Sequence, residues 1–269
     1  MASAKWSGGP NIFANGDAYL KGFLGLDWFP SEAARTNKKN YETWCFRVLG
    51  QLLVNPVGSI VLKEIFSKVP RTITLEPLSA DDVKLPDDVP AEWINPLDMI
   101  CKAKVDPINE QRGTKTGVTV SRQQELKGTG QGSDCVLKIN PWNYHNMGGK
   151  CPNEPGRGGD EILLHELVHA LSSLSGKLTL TSNSPNGFTN LEEFTAITVA
   201  NVFSSQTNRA LRADHGGFDR LSPKLSDSQS FYSKYSVYMQ QICANHRGLA
   251  FQLAQLKSIH FNPFTLCTL

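Results

Sequence analysis

The stretch that most constrains this chain is Asp160-Glu-Ile-Leu-Leu-His-Glu-Leu-Val-His-Ala-Leu171. It places His165 and His169 four residues apart, with Glu166 directly after the first histidine. On an α-helix, residues four apart share a face, one turn apart. Both imidazoles then reach one metal ion. Glu166 projects about 100° further round the helix, close enough to touch a water on that ion. Two neutral imidazoles, a carboxylate and an open position suit zinc, here one Zn2+ per chain. The ion lowers the pKa of the water, and Glu166 is the base that takes its proton.

The bare pattern H-E-x-x-H recurs by chance, so its flanks carry weight. Leu163, Leu164, Leu167, Val168, Ala170, Leu171 and Leu174 form an apolar arc at helical spacing. His165 and His169 fall on the other side of the wheel. Gly158-Gly159 lead to Asp160 as the expected cap, and Gly176 is the expected stop. A second helix is expected over 191–203, capped by Asn190 and opening Leu191-Glu-Glu-Phe-Thr-Ala196. Sites of this kind usually draw their third ligand from downstream, and a carboxylate of this helix is the candidate. Glu192 and Glu193 also suit a helix N-terminus with no metal present. Adjacent helical residues point about 100° apart, so only one of the two faces the ion. The small residues Ala196 and Ala200 lie near the Glu193 side and favour close approach there. Further on, Leu211-Arg-Ala-Asp-His-Gly-Gly-Phe218 sets His215 beside glycines. His215 suits donation to a developing oxyanion or orientation of a ligand; a plain polar loop is the alternative.

With 269 residues, 40% hydrophobic and 19% charged, the chain is long and apolar enough for a sizeable core. Its net charge of +2 is too small to argue for nucleic acid or an anionic membrane as partner. No apolar run is long enough to cross a bilayer. The start, Met1 to Pro10, has no apolar segment after Lys5, so no secretory signal peptide is expected. Cytoplasmic residence in the producing cell follows, with any export by a route that needs no such signal. Six cysteines at wide spacing, with no C-x-x-C, are expected to be buried free thiols.

Residues 1–35 lack periodicity and read as an N-terminal arm or loop; residues 36–269 read as a single α+β domain. Helices are expected over 40–54 and, with Pro56 in the first turn, 57–68. Strands are expected over 71–76, 117–122 and 135–140. Residues 77–115, rich in proline and charge, read as an insertion of turns with one short helix, either a surface excursion or a rim over a cleft. Residues 128–134 read as a turn. The loop 142–149 brings Tyr144 and His145 toward the metal helix, and Cys151 follows in a glycine-rich segment. From about residue 220 the chain reads as helical, over 227–244 and 247–257. Tyr232, Tyr235, Tyr238 and Met239 are expected to pack.

Together, Ile162-Leu-Leu-His-Glu-Leu-Val-His-Ala-Leu171 and Leu191-Glu-Glu-Phe-Thr-Ala196 resemble the gluzincin-type zinc metallopeptidases. The wider pattern over 40–220 is similar to bacterial effector metallopeptidases, both NleD-like injected proteases and toxins linked to type VI secretion. That likeness implies a zincin-like fold, a small mixed sheet packed on the metal helix and a second helix bearing the ligating glutamate. It implies Glu193 as third ligand, with Glu166 and His215 as catalytic groups. Its substrate would be a protein or peptide, with a secretion apparatus, chaperone or immunity protein as further partners. The last strand before the metal helix, 135–140, would be the sheet edge that pairs with extended substrate. Two features of related groups are absent: a third histidine after a glycine following His169, and a helix of Asn-Glu…Asp pattern. A binding module that keeps a structural zinc is the rival reading.

Overall fold

A computed structural model describes residues 3–17, 32–77, 103–107, 130, 132–139, 155–156, 158–178, 184–215 and 219–268. The expected strand at 117–122, and Tyr144, His145 and Cys151, lie outside these residues. The fold is α+β, with a mixed five-stranded sheet. Its strands are β1 (Ala4–Lys5), β2 (Ile12–Ala14), β3 (Ile73–Glu76), β4 (Ala103–Pro107) and β5 (Cys135–Ile139). The order across the sheet is β1-β2-β3-β5-β4; β2, β3 and β5 run parallel, and β1 and β4 are antiparallel edges.

The inner strands are short, and alternation decides their faces. Ile12, Ile73 and Cys135 stand in one cross-strand row, and Ala14, Leu75 and Leu137 in the next; all six are buried. Two expectations change here. Residues 135–139 form an interior strand, because β4 pairs along their whole length and takes the edge. That edge lies inside 77–115, where turns and a short helix were expected. The N-terminal arm is docked as two strands. Asn11 secures it, donating from Nδ2 to the carbonyls of Ile65 at 3.0 Å and Arg71 at 2.8 Å.

Between β2 and β3 run α1 (Glu32–Val54) and α2 (Pro56–Phe66), which diverge by 109°. Helix α1 starts earlier than its apolar spacing indicates. It buries Tyr41, Trp44, Cys45, Val48, Leu49 and Leu52, a stripe at three- and four-residue steps. The break falls at Asn55, whose side chain accepts from the N–H groups of Val57 and Gly58. Pro56 then opens α2, where its missing N–H costs no hydrogen bond. A Cβ on Gly58 would collide with the carbonyl oxygen of Leu52, so this sharp corner requires glycine. Among the described residues no single helix is long and apolar enough to cross a membrane.

The metal-motif helix, α3 (Gly159–Leu174), is the hub of the molecule and touches α1, α2, β4, β5 and the next helix. Its cap is Gly158, not Asp160: the Glu161 carboxylate closes on the Gly158 N–H at 2.9 Å, and Asp160 instead pairs with Arg209. The turn at 130–133 seals the other end. Gly130 N–H donates to the Gly176 carbonyl just past the helix, and Ser133 N–H donates to the Ser173 carbonyl in its last turn. Gly132, at φ 71°, lies so close to Leu174 that a side chain would strike its carbonyl.

The second helix, α4 (Leu191–Gln206), is followed by α5 (Ser228–Lys234), α6 (Ser236–Asn245), α7 (Arg247–Ala254) and a 3-10 turn, Pro263–Leu266. These closing helices share one hydrophobic core with the sheet. Phe194 joins them to α4, with ring centroids 5.0 Å from Phe188, 5.9 Å from Phe231 and 5.3 Å from Tyr235. Cys45 and Cys135 are buried free thiols as expected, whereas Cys243 and Cys267 form a disulfide.

Candidate metal centre

Helices α3 and α4 pack against each other, and Ala170, Ala196 and Ala200 on them are buried. Polar contacts fix their relative height. Ser204 donates to Glu161 Oε1 at 2.5 Å, and Arg209 grips both oxygens of Asp160 at 2.6 and 2.8 Å. At the opposite end of α4, Asn190 caps the helix by accepting from the Glu193 N–H at 2.9 Å. The cap fixes the first turn, and with it the two glutamates.

This packing brings His165, His169 and Glu193 together. Their ligand-capable atoms all lie within 4.8 Å of one another. His165 Nε2 is 3.0 Å from His169 Nε2. Glu193 Oε2 is 3.2 Å from the first and 3.4 Å from the second. Donors about 2.0–2.2 Å from a tetrahedral zinc lie about 3.3–3.5 Å from one another. Glu193 Oε2 is buried and makes no hydrogen bond among the described residues, despite those imidazoles. A buried carboxylate oxygen left in that state is a group in need of a cation. Two imidazole nitrogens and one carboxylate oxygen fit zinc.

Glu192 takes the other task. Its Oε1 lies 3.2 Å from His169 Nδ1, on the far side of that ring. A carboxylate only accepts, so Nδ1 carries the hydrogen and Nε2 presents its lone pair to the centre. Adjacent glutamates thus divide two roles, one facing the cluster and one orienting His169. The sequence offers both residues but not this division.

His215 is the third imidazole at the site. Its Nε2 is 3.4 Å from Glu193 Oε2 and its Nδ1 is 2.7 Å from Thr189 Oγ1. Its backbone is held from two sides: its N–H donates to the Gly187 carbonyl at 2.8 Å, and its carbonyl accepts from Arg212 Nη2 at 2.5 Å. Asn201, in the middle of α4, pairs with both backbone groups of Arg212, each at 2.8 Å. Neither Thr189 nor Asn201 stands in a recognisable motif; each acts through a contact that only the folded chain makes.

The electrostatics follow from burying several charges in one place. Burial, then the Glu193 charge, raises the Glu166 carboxyl to about 7 against the pull of His169 and Arg212. Burial, with His169 and Arg212 adding to it, lowers His165 to about 4 in spite of Glu193. Burial also opposes the charge on His169, but Glu193, Glu192 and Glu166 outweigh it and hold this imidazole well above its ordinary value. Burial resists ionisation of Glu193 as well, yet His169 and His165 hold it far below the carboxylate range. The cluster is therefore built around a positive charge. Without metal His169 carries it; a bound divalent ion would displace the proton from Nε2.

No protein-family model matches this chain, and no curated protein matches it.

Proposed function

We propose that the chain is a zinc-dependent endopeptidase of zincin-like fold, of the gluzincin type, acting on a protein or peptide. His165, His169 and Glu193 would hold the ion. The observation that carries this reading is the mutual spacing of their three donor atoms, 3.0 to 3.4 Å, which is within about 0.3 Å of the spacing zinc ligands take. The ion would polarise a carbonyl and lower the pKa of a water. Glu166 supplies what a purely structural zinc does not need, a buried carboxylate next to the donor set. It accepts the proton of the attacking water and passes it to the leaving amine nitrogen as the C–N bond breaks. His215 donates to the carbonyl oxygen as that atom gains charge.

Glu166→Gln tests the assignment. Zinc content should remain at one ion per chain, while kcat on a peptide library substrate falls by about 10²–10⁴-fold, the usual contribution of a general base. Wild-type turnover in the zinc-loaded variant would contradict the mechanism.

A further inference from the structure

The disulfide between Cys243 of α6 and Cys267, 24 residues on, lies in the wall of a cavity of about 440 Å3. Tyr232, Gln240, Arg247 and Thr268 also line it. That volume falls in the range of small-molecule sites. Gln240, Arg247 and Thr268 are exposed, so the cavity is open to solvent on a polar side. Arg247 is the only charged side chain in the lining, and it makes no ion pair among the described residues. An exposed guanidinium with no carboxylate beside it favours an anionic ligand. The two sulfur-bearing residues are not equivalent. Cys243 is 4% exposed, whereas Cys267 is half-buried. A thiolate entering the cavity meets Cys267 first.

We infer that this cavity is a thiol–disulfide exchange site, where a small thiol bearing carboxylates docks on Arg247 and opens the Cys243–Cys267 bond. The incoming thiolate attacks Cys267 Sγ. A new S–S bond forms there, the old one breaks, and Cys243 leaves as a thiolate that takes a proton from water. A second small thiol displaces the first from Cys267. The protein disulfide is thereby reduced to two thiols, and two small thiols are oxidised to one disulfide. The bond is a latch on the end of the chain. Past Phe264, the N–H groups of Thr265 and Cys267 donate only locally, to the carbonyls of Asn262 and Phe264. Asn262 itself stays anchored, donating from Nδ2 to the carbonyls of Leu253 at 2.8 Å and Leu256 at 3.2 Å. Opening the latch therefore frees the chain end and leaves the closing helices in place. The site shares no residue with the metal centre and does not rest on the peptidase reading.

The test exposes the folded, oxidised full chain to glutathione, which carries carboxylates, and to cysteamine, which carries an amine. Quenched samples are mapped peptide by peptide by mass spectrometry. Each rate is divided by that thiol's rate with an unstructured disulfide peptide, which removes differences in intrinsic nucleophilicity. Glutathione should open the bond about 5-fold faster than cysteamine on this scale, the upper worth of one exposed ion pair, with its adduct on Cys267. Arg247→Gln, a change at an exposed position, should abolish the preference. Opening should lower the melting temperature by roughly 5–10 °C, as loss of a loop-closing bond does in a chain of this size. Equal rates in wild type, a preference that survives Arg247→Gln, an adduct on Cys243, or a bond that opens only in denaturant would overturn the exchange site. An unchanged melting temperature would overturn the latch.

Discussion

Glu166 shows how one residue's surroundings set its chemistry. It is 6% exposed and lies beside a second carboxylate, so its charge is costly in the metal-free protein. Its carboxyl rises from 4.5 to about 7, so the folded chain binds that proton more tightly than the unfolded chain does. The resulting stability is complete below pH 4.5 and is lost as pH rises through about 7. His165, shifted down from 6.5 to about 4, has the opposite slope over nearly the same range and masks the effect in wild type. Comparison with Glu166→Gln isolates it. The melting temperature of metal-free Glu166→Gln, relative to wild type, should increase between pH 4.5 and 7 and then level off. A flat or falling difference would mean that Glu166 is not buried against Glu193 as described.

At the scale of elements, the site is a joint between α3 and α4, and α4 is braced from behind. Glu193 faces the centre while Phe194, fully buried, is packed among Phe188, Phe231 and Tyr235. Phe194→Ala should lower unfolding free energy by about 3–5 kcal/mol, as large-to-small changes of buried phenylalanine do, and weaken zinc binding in parallel. Denaturant titration and metal competition on the same variant read the two effects; loss of stability with unchanged zinc affinity would separate the brace from the site. The two helices were legible in the sequence because helical period and capping are local, down to Asn190 as the cap. Asp160 misled because an acidic residue at a helix start satisfies the same local rules whether it caps or pairs with Arg209, forty-nine residues away. Strands β1, β2 and β4 are two to five residues each, too short for a local pattern, and β2 and β4 are set by partners distant in the chain. The division of labour between Glu192 and Glu193 was hidden for the same reason. Ala196 and Ala200 pointed to Glu193 as the inward-facing one, but the role of Glu192 behind His169 shows only once α3 is in place.

Across the whole molecule, α3 is packed by the sheet strands β4 and β5, the crossover helices α1 and α2, and α4. Within that helix only Gly159 and Asp160 at its start and His165 at the centre are less than fully buried. An ion bound by residues of both α3 and α4 would link chain segments that the protein otherwise joins by packing and a few polar contacts. It would stabilise the fold by mass action, about 2.7 kcal/mol at a free concentration one hundred times Kd. The most direct measurement is the zinc content of purified wild type beside Glu193→Ala and Glu192→Ala after reconstitution and dialysis. Wild type should retain one zinc per chain. Glu193→Ala should lose it, and Glu192→Ala should keep it with about 10–100-fold weaker affinity. A wild type that binds no zinc, or a site destroyed by Glu192→Ala and spared by Glu193→Ala, would contradict the account.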